Sequence, residues 1–321
     1  MTTLATATVE ADLSTALELG GRALEWTETH GRALLASASF TAQALVLGRL
    51  QREETLRARS PARFDVQVAR RATTGTEAQL EGAVLYHALA LPRVDALFSD
   101  ASARTLLNRN LRPLLRGYAA AGVPFRYFGT EVLAVLGHPV ALVGYDQTAA
   151  GAVLIEVLIG LENPCVVRPA LKREPPAALY PLLRRSPPAH ELLLAAVNGV
   201  VDRLGAIPSD VAASLPPASA TANYQPPTAN SPPPATVSIP LGVVEATVTP
   251  HVRITGDLLA GRAALRRFEQ RAAEAVASVE KPSSAWLTAL DGAPLDGARP
   301  EDLLQALALL VPLEIAPGAG R

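Results

Sequence analysis

Along FGTEVLAVLGHPVALVGYD, residues 128–146, the apolar positions Val132, Leu133 and Val135 give way to Gly137-His138-Pro139 and resume at Val140, Ala141, Leu142 and Val143. Two short apolar runs around a turn signal predict a β-hairpin. Upstream, Leu13, Leu17, Ala23 and Leu24 recur at helical spacing behind Asp12, which predicts a capped helix over Asp12–Trp26, weakened by Gly20-Gly21. The runs RALLASASF, QALVLGRLQ, RFDVQVARR and GAVLYHALAL then read as strands bounded by polar or Gly/Pro residues. In the third, Phe64, Val66 and Val68 alternate with Asp65, Gln67 and Ala69, the pattern of one buried face.

In SARTLLNRNLRPLLRGYAAAG, apolar Leu106, Leu107, Leu111, Leu114, Leu115 and Tyr118 are separated by arginines and end at Gly122. This predicts a long amphipathic helix bent at Pro113. The continuous apolar run GAVLIEVLIGL suits a central strand, and two helices follow, near Ala177–Arg185 and His190–Leu204. Strands, helix, strands and helices in that order predict an α+β class with a mixed sheet rather than alternating βαβ units. Residues 207–238 are rich in Pro, Ser, Ala and Thr and predict a linker. The expected organisation is a core domain over 1–206, the Pro-rich linker over 207–238 and a small α+β accessory domain over 239–321, whose helix presents Leu265, Phe268 and Ala272 on one face.

Composition narrows the function. The 321 residues are 49% hydrophobic and 18% charged with a net charge of −1, so a sizeable core is expected and no global basic field invites nucleic acid or an anionic membrane. Cationic charge is almost all arginine, and Lys172 and Lys281 are the only lysines, which excludes a catalytic lysine in the first 171 residues. The single cysteine, Cys165, excludes an intrachain disulfide and a multi-cysteine metal site. Asp95, Asp100 and Glu53-Glu54 have no His or Cys partner at ligand spacing, so no metal site is expected. The N-terminus has neither a basic n-region nor a long apolar stretch, which makes a cytoplasmic protein the expectation. His87 reads as a core histidine, and Arg109, Arg112 and Arg116 as a solvated helix face.

Three stretches share order and placement with one known family. ALVLGRLQ, Ala44–Gln51, resembles a strand segment of the type LGRxQ; VARRATTGTEAQLEGAVLYHALALP resembles an RRxTGGxAVLH segment, matched at Arg70, Arg71, Thr73 and Gly75; and the hairpin is similar to RNDLLVxGRKVxG. ITGDLLAGRAALRRFEQRAAEA resembles the GDF-plus-helix signature of an accessory C-terminal domain. Together they resemble the lipoate-protein ligase family of the biotinyl/lipoyl protein ligase fold, a class II synthetase-like mixed sheet.

The resemblance implies a protein that activates lipoate or octanoate with ATP through an acyl-adenylate and passes it to a lysine of a small carrier domain. It implies ligand contacts at Arg70, Arg71, Thr73, Thr74, Gly75, Thr130 and Glu131. Several family features are missing. The first glycine of the pair is Thr74, the loop histidine position is Leu80, the Asn-Asp pair is Thr130-Glu131, and the lysine position is Pro139. Losing one preorganised donor commonly slows a reaction by about 10²–10³. The resulting expectation is a degenerate member that keeps the fold as a binding or scaffold module for an acyl ligand, a nucleotide, a carrier domain or a paired active subunit. The alternative is an active lipoyl or octanoyl ligase or acyltransferase with rearranged chemistry, in which His138 replaces the lysine or Cys165 carries the acyl group.

Overall fold

The computed structural model describes residues 4–166, 174–217, 234–248, 251–278, 282–290, 295–296 and 298–310. The chain opens with β1 (Leu4–Glu10), α1 (Leu13–His30) and β2 (Leu34–Leu47), then α2 (Glu53–Arg59), β3 (Gln67–Arg70) and β4 (Ala78–Leu91). After α3 (Leu106–Asn110) and α4 (Arg112–Ala120) come β5 (Arg126–Tyr127), β6 (Val132–Val135), β7 (His138–Gln147) and β8 (Val153–Gly160). The helices α5 (Leu179–Leu183) and α6 (Ala189–Leu204) and the short β9 (Pro208–Asp210) complete this part.

These nine strands form one sheet in the order β5-β6-β7-β8-β4-β2-β1-β9, with β3 paired to β2 beside β1. The β1-β2, β1-β9 and β2-β3 pairs are parallel and the rest antiparallel, so the sheet is mixed. Alternation along the strands assigns each face. On β4, Leu85, Leu89 and Leu91 pack toward α4 and α6, while Val84, Tyr86, Ala88 and Ala90 pack toward α1.

Several elements differ from the sequence expectation for local reasons. Strands expected at RALLASASF and QALVLGRLQ are one 14-residue strand, β2, because the polar break at Thr41–Gln43 stays in register with β4. Phe64 lies in a 3₁₀ turn over 61–64, so the strand expected there shrinks to the four residues of β3, while Phe64, Val66 and Val68 still turn to one apolar cluster with Asp65 and Gln67 exposed. The amphipathic helix breaks into α3 and α4 just before Pro113. The hairpin turns at Leu136-Gly137, both at positive φ, which places His138 and Pro139 already in β7.

Helix α1 runs through Gly20 because that face touches the sheet: a Cβ at Gly20 would sit 2.3 Å from Glu156 Oε1 and 2.5 Å from Tyr86 Oη. Gly20→Ala is therefore expected to destabilise the protein by about 1–3 kcal/mol in urea unfolding, although alanine is the better helix former. A stabilised variant would show that α1 does not press on this pair.

Of the Pro-rich stretch, residues 218–233 lie outside the described residues. Its described ends belong to sheets: Pro208–Asp210 pairs with β1, and Ala235–Ile239 is β10. Three polar residues are enough for an edge strand but leave no apolar signal. Beyond it, β10, β11 (Gly242–Thr247) and β12 (Arg253–Gly256) make a small antiparallel sheet, and β13 (Leu259–Ala260) pairs with β14 (Leu295–Asp296). Helices α7 (Arg262–Ala277) and α8 (Pro300–Ala308) pack on them around Phe268, Trp286, Leu265, Ala272 and Leu303, a core of their own.

Candidate functional site

The resemblance points to the loop between β3 and β4, residues 71–77. Strand β3 runs parallel to the end of β2, with Leu47 beside Arg70, and so delivers the loop next to the turn Gly48–Gln51. Arg70 Nη1 donates to the carbonyls of Gly48 (2.7 Å), Arg49 (3.2 Å) and Gln51 (2.7 Å) and holds that turn. Arg71 points inward and is 2% exposed. Its Nη2 donates to Thr76 O at 3.0 Å, while Nε and Nη1 have no hydrogen-bond partner among the described residues. Burial lowers the Arg71 pKa, opposed by Glu156, Glu131, Tyr86 and Glu77 around it.

The backbone donors of Thr73 to Thr76 are engaged by the chain itself. Thr73 N donates to Glu156 Oε2 (3.0 Å), Thr74 N to Tyr145 O (3.1 Å), Gly75 N to Leu258 O (2.9 Å) and Thr76 N to Glu131 Oε2 (2.8 Å). The Thr74 hydroxyl donates to Tyr145 O at 2.8 Å and accepts from Ala260 N at 3.0 Å. Gly75 has φ +113°, and a Cβ there would meet Leu259 Cδ2 at 3.1 Å. The β12-β13 connection of the C-terminal unit thus lies against the loop as its immediate neighbour.

Two buried carboxylates brace this arrangement. Glu156, on the α1 face of β8, accepts from the Thr73 hydroxyl and, at 2.5 Å, from Tyr86 Oη. Glu131 accepts from the Thr76 hydroxyl at 2.6 Å. Burial pushes the Glu131 carboxyl up to about 7, against the two Thr76 hydrogen bonds and Arg71. Asp146 pairs with Arg262 at 2.7 Å and accepts from Arg262 N at 2.9 Å, a second tie to the C-terminal unit.

Of the residues singled out from sequence, Arg70, Arg71, Thr73, Thr74, Gly75 and Glu131 come together here. Thr130 is half-buried beside them, and its hydroxyl has no partner among the described residues. His138 and Pro139 are not brought to the loop. Val143 N meets Glu131 O at 2.5 Å, and His138 lies five strand residues before Val143, about 17 Å away. His138 Nδ1 instead lies 2.9 Å from Pro175 O. Cys165 is buried, and burial pushes its thiol up to about 12, which disfavours the thiolate an acyl carrier needs.

Gln51, Glu77, Glu156 and Asp257 belong to the same network and were not singled out from sequence. Gln51 Oε1 accepts from Gly48 N (2.8 Å), and its Nε2 donates to Glu77 (2.7 Å) and Asp257 (2.6 Å). Arg59 reaches Asp257 at 3.3 Å and Arg63 reaches Glu77 at 3.5 Å. Only Gln51 carried a signal, as the glutamine of the LGRxQ-like segment.

A loop that cradles phosphate needs free N–H groups and close backbone access. Here the N–H groups of residues 73–76 are satisfied and Thr74 carries a bonded side chain, so in this arrangement the loop does not fit an adenylate. Both lysines lie outside the described residues. Among the described residues there is no cluster of three or more His, Cys, Asp or Glu able to hold a metal, and no helix long and apolar enough to cross a membrane.

No protein-family model matches the chain, and comparison with curated proteins gives no match. Solved structures do match. P. falciparum LipL1 in complex with lipoate superposes with a TM-score of 0.57 at 10% identity, over 84% of this chain and 89% of that one. A lipoate-protein ligase A bound with ATP gives 0.50 at 13% identity, over 67% of this chain and 92% of that one. At these identities the likeness is one of fold, and the chain has the mixed α+β, lipoate-protein ligase-like fold.

Proposed function

We propose that this protein is a catalytically degenerate lipoate-protein ligase-like protein that serves as a binding or scaffold module. Its partner on this reading is a lipoyl-type carrier domain or an active ligase subunit. One observation carries the proposal: the four loop N–H groups from Thr73 to Thr76 are hydrogen-bonded within the chain, two of them to buried carboxylates and one to the C-terminal unit. A ligand would have to break each of these bonds, and a buried donor that loses its partner costs about 1–3 kcal/mol.

The test is pyrophosphate release from ATP with lipoate or octanoate, paired with calorimetric titration of a lipoyl carrier domain in the absence of nucleotide. Background release with measurable carrier binding is expected. Robust acid-dependent release would end the reading.

A second reading, an active acyltransferase or ligase with rearranged chemistry, is favoured by Arg71, whose unpartnered Nε and Nη1 would suit an entering carboxylate or phosphate. On that reading transfer to a carrier lysine occurs and Arg71→Met abolishes it.

A further inference from the structure

The network around the loop leaves one recessed arginine without a counter-charge. Arg49, in the turn after β2, is only 9% exposed. Its guanidinium makes one long hydrogen bond, from Nη1 to Ala72 O at 3.4 Å, and no ion pair with any described residue. A buried charge is ordinarily paired or held by a ligand.

Three stretches of backbone meet at Thr73-Thr74 and bring two more arginines to the same place. Arg49 N donates to Thr73 O (2.8 Å), Thr74 N to Tyr145 O (3.1 Å) and Ala260 N to the Thr74 hydroxyl (3.0 Å). Asp146 follows Tyr145 at the end of β7, and α7 begins two residues after Ala260 with Arg262. Arg266 lies one turn further along the same face of that helix. Burial and the like charges of Arg262 and Arg266 lower the Arg49 pKa, against Asp146 and Glu156.

The acids nearby are already committed. Asp146 Oδ2 pairs with Arg262 Nη2 at 2.7 Å, and its Oδ1 accepts from Arg262 N at 2.9 Å and Gln147 N at 2.8 Å. Glu269 pairs with Arg253 at 3.1 Å and accepts from Ile254 N at 2.8 Å. Glu156 accepts from Thr73 and Tyr86. Arg49 and Arg266 therefore have no partner carboxylate among the described residues, and the junction of turn, strand end and helix start carries surplus positive charge.

We infer that Arg49, Arg262 and Arg266 form an anion site for a phosphoryl group, either a free phosphate or pyrophosphate ion or the phosphate of a nucleotide. Guanidinium forks match phosphate oxygens, and the positive end of the 16-residue α7 lies at the same place. The recessed position of Arg49 favours a small anion over a carboxylate on the surface of another protein. The site joins both units of the chain and uses none of the N–H groups of residues 73–76, so it goes beyond the function proposed above and stands or falls independently of it.

The test is calorimetric titration of the full chain with orthophosphate, pyrophosphate and ATP at constant ionic strength, without acyl substrate. One saturable site per chain is expected, filled most tightly by an inorganic ion if the group is free and by ATP if a nucleotide carries it. Arg266→Ala, at an exposed position, should weaken binding at least about 10-fold, and so should Arg49→Gln. Because Arg49 is buried, Arg266→Ala decides the matter if Arg49→Gln fails to fold. Arg271→Ala removes the same charge from α7 about 140° around its axis and should change binding less than about twofold. The inference is overturned by the lack of a saturable site in the parent chain, by binding that Arg266→Ala leaves intact, or by equal weakening in Arg271→Ala. A lipoyl carrier domain that loses affinity with Arg266→Ala, while none of the three anions binds, overturns it as well.

Discussion

Glu156→Ala is expected to lower the unfolding free energy by about 3–5 kcal/mol, the range for leaving a buried charge uncompensated. Glu156 is fully buried and receives the Thr73 backbone N–H, the Thr73 hydroxyl and the Tyr86 hydroxyl, and of the surrounding acids it does most to hold Arg71 charged. Removing it leaves a buried guanidinium that already has two nitrogens without a hydrogen-bond partner among the described residues. The cost should come mostly from that stranded charge rather than from lost attraction. Arg71→Met combined with Glu156→Leu should therefore recover more than half of the loss, giving a coupling of roughly 2 kcal/mol in a double-mutant cycle. Additive losses in urea unfolding would show that the two groups do not share one electrostatic environment. The same cluster bears on function, because a ligand reaching Arg71 would have to compete with Glu156 and Glu131 for it.

Periodicity and resemblance made different parts of this molecule legible. The hairpin, the central strand β8, α6 and the Leu265-Phe268-Ala272 face of α7 could be read because apolar spacing records which side is buried. The length of β2 could not be read, since Thr41 and Gln43 are polar yet stay paired to β4, and ladder hydrogen bonds leave no mark in composition. At the site, motif matching found Arg70, Arg71 and the threonines but not their partners. Glu156 sits inside an apolar run and Asp257 beyond the Pro-rich stretch, joined to the loop only by the fold. Arg70 shows the limit most plainly. As a surface arginine beside a glycine loop it suggested a ligand contact, whereas in the structure it donates to three backbone carbonyls of the neighbouring turn.

The contribution of His87 to stability should fall on acidification well above the usual carboxylate range. This residue is fully buried on the α4 face of β4, with Nδ1 2.8 Å from Ser37 Oγ across the β2-β4 pair, Nε2 unpartnered among the described residues, and the Tyr118 ring 5.8 Å away. Burial lowers its pKa to about 3. The unfolded chain, whose histidine titrates near an ordinary value of about 6.5, then holds more protons than the native state between those two pH values. The His87 contribution is therefore complete above about pH 6.5 and is lost as pH falls toward 3, with an upper bound of roughly 4–5 kcal/mol at 1.36 kcal/mol per pH unit. Glu131 acts with the opposite sign. Its carboxyl, raised to about 7, binds its proton more tightly in the fold, so its contribution shrinks as pH rises from the ordinary glutamate range toward 7. The two slopes overlap between about pH 4.5 and 6.5, and the parent protein reports only their sum. Replacing the buried polar pair together, Ser37→Ala with His87→Met, removes the histidine without orphaning its partner. In that variant the offsetting His87 slope is gone, so urea-derived stability between pH 4.5 and 6.5 should fall as pH rises, the Glu131 slope, which Glu131→Gln then flattens. An unchanged pH profile in the paired variant would mean that His87 is not held neutral by its burial.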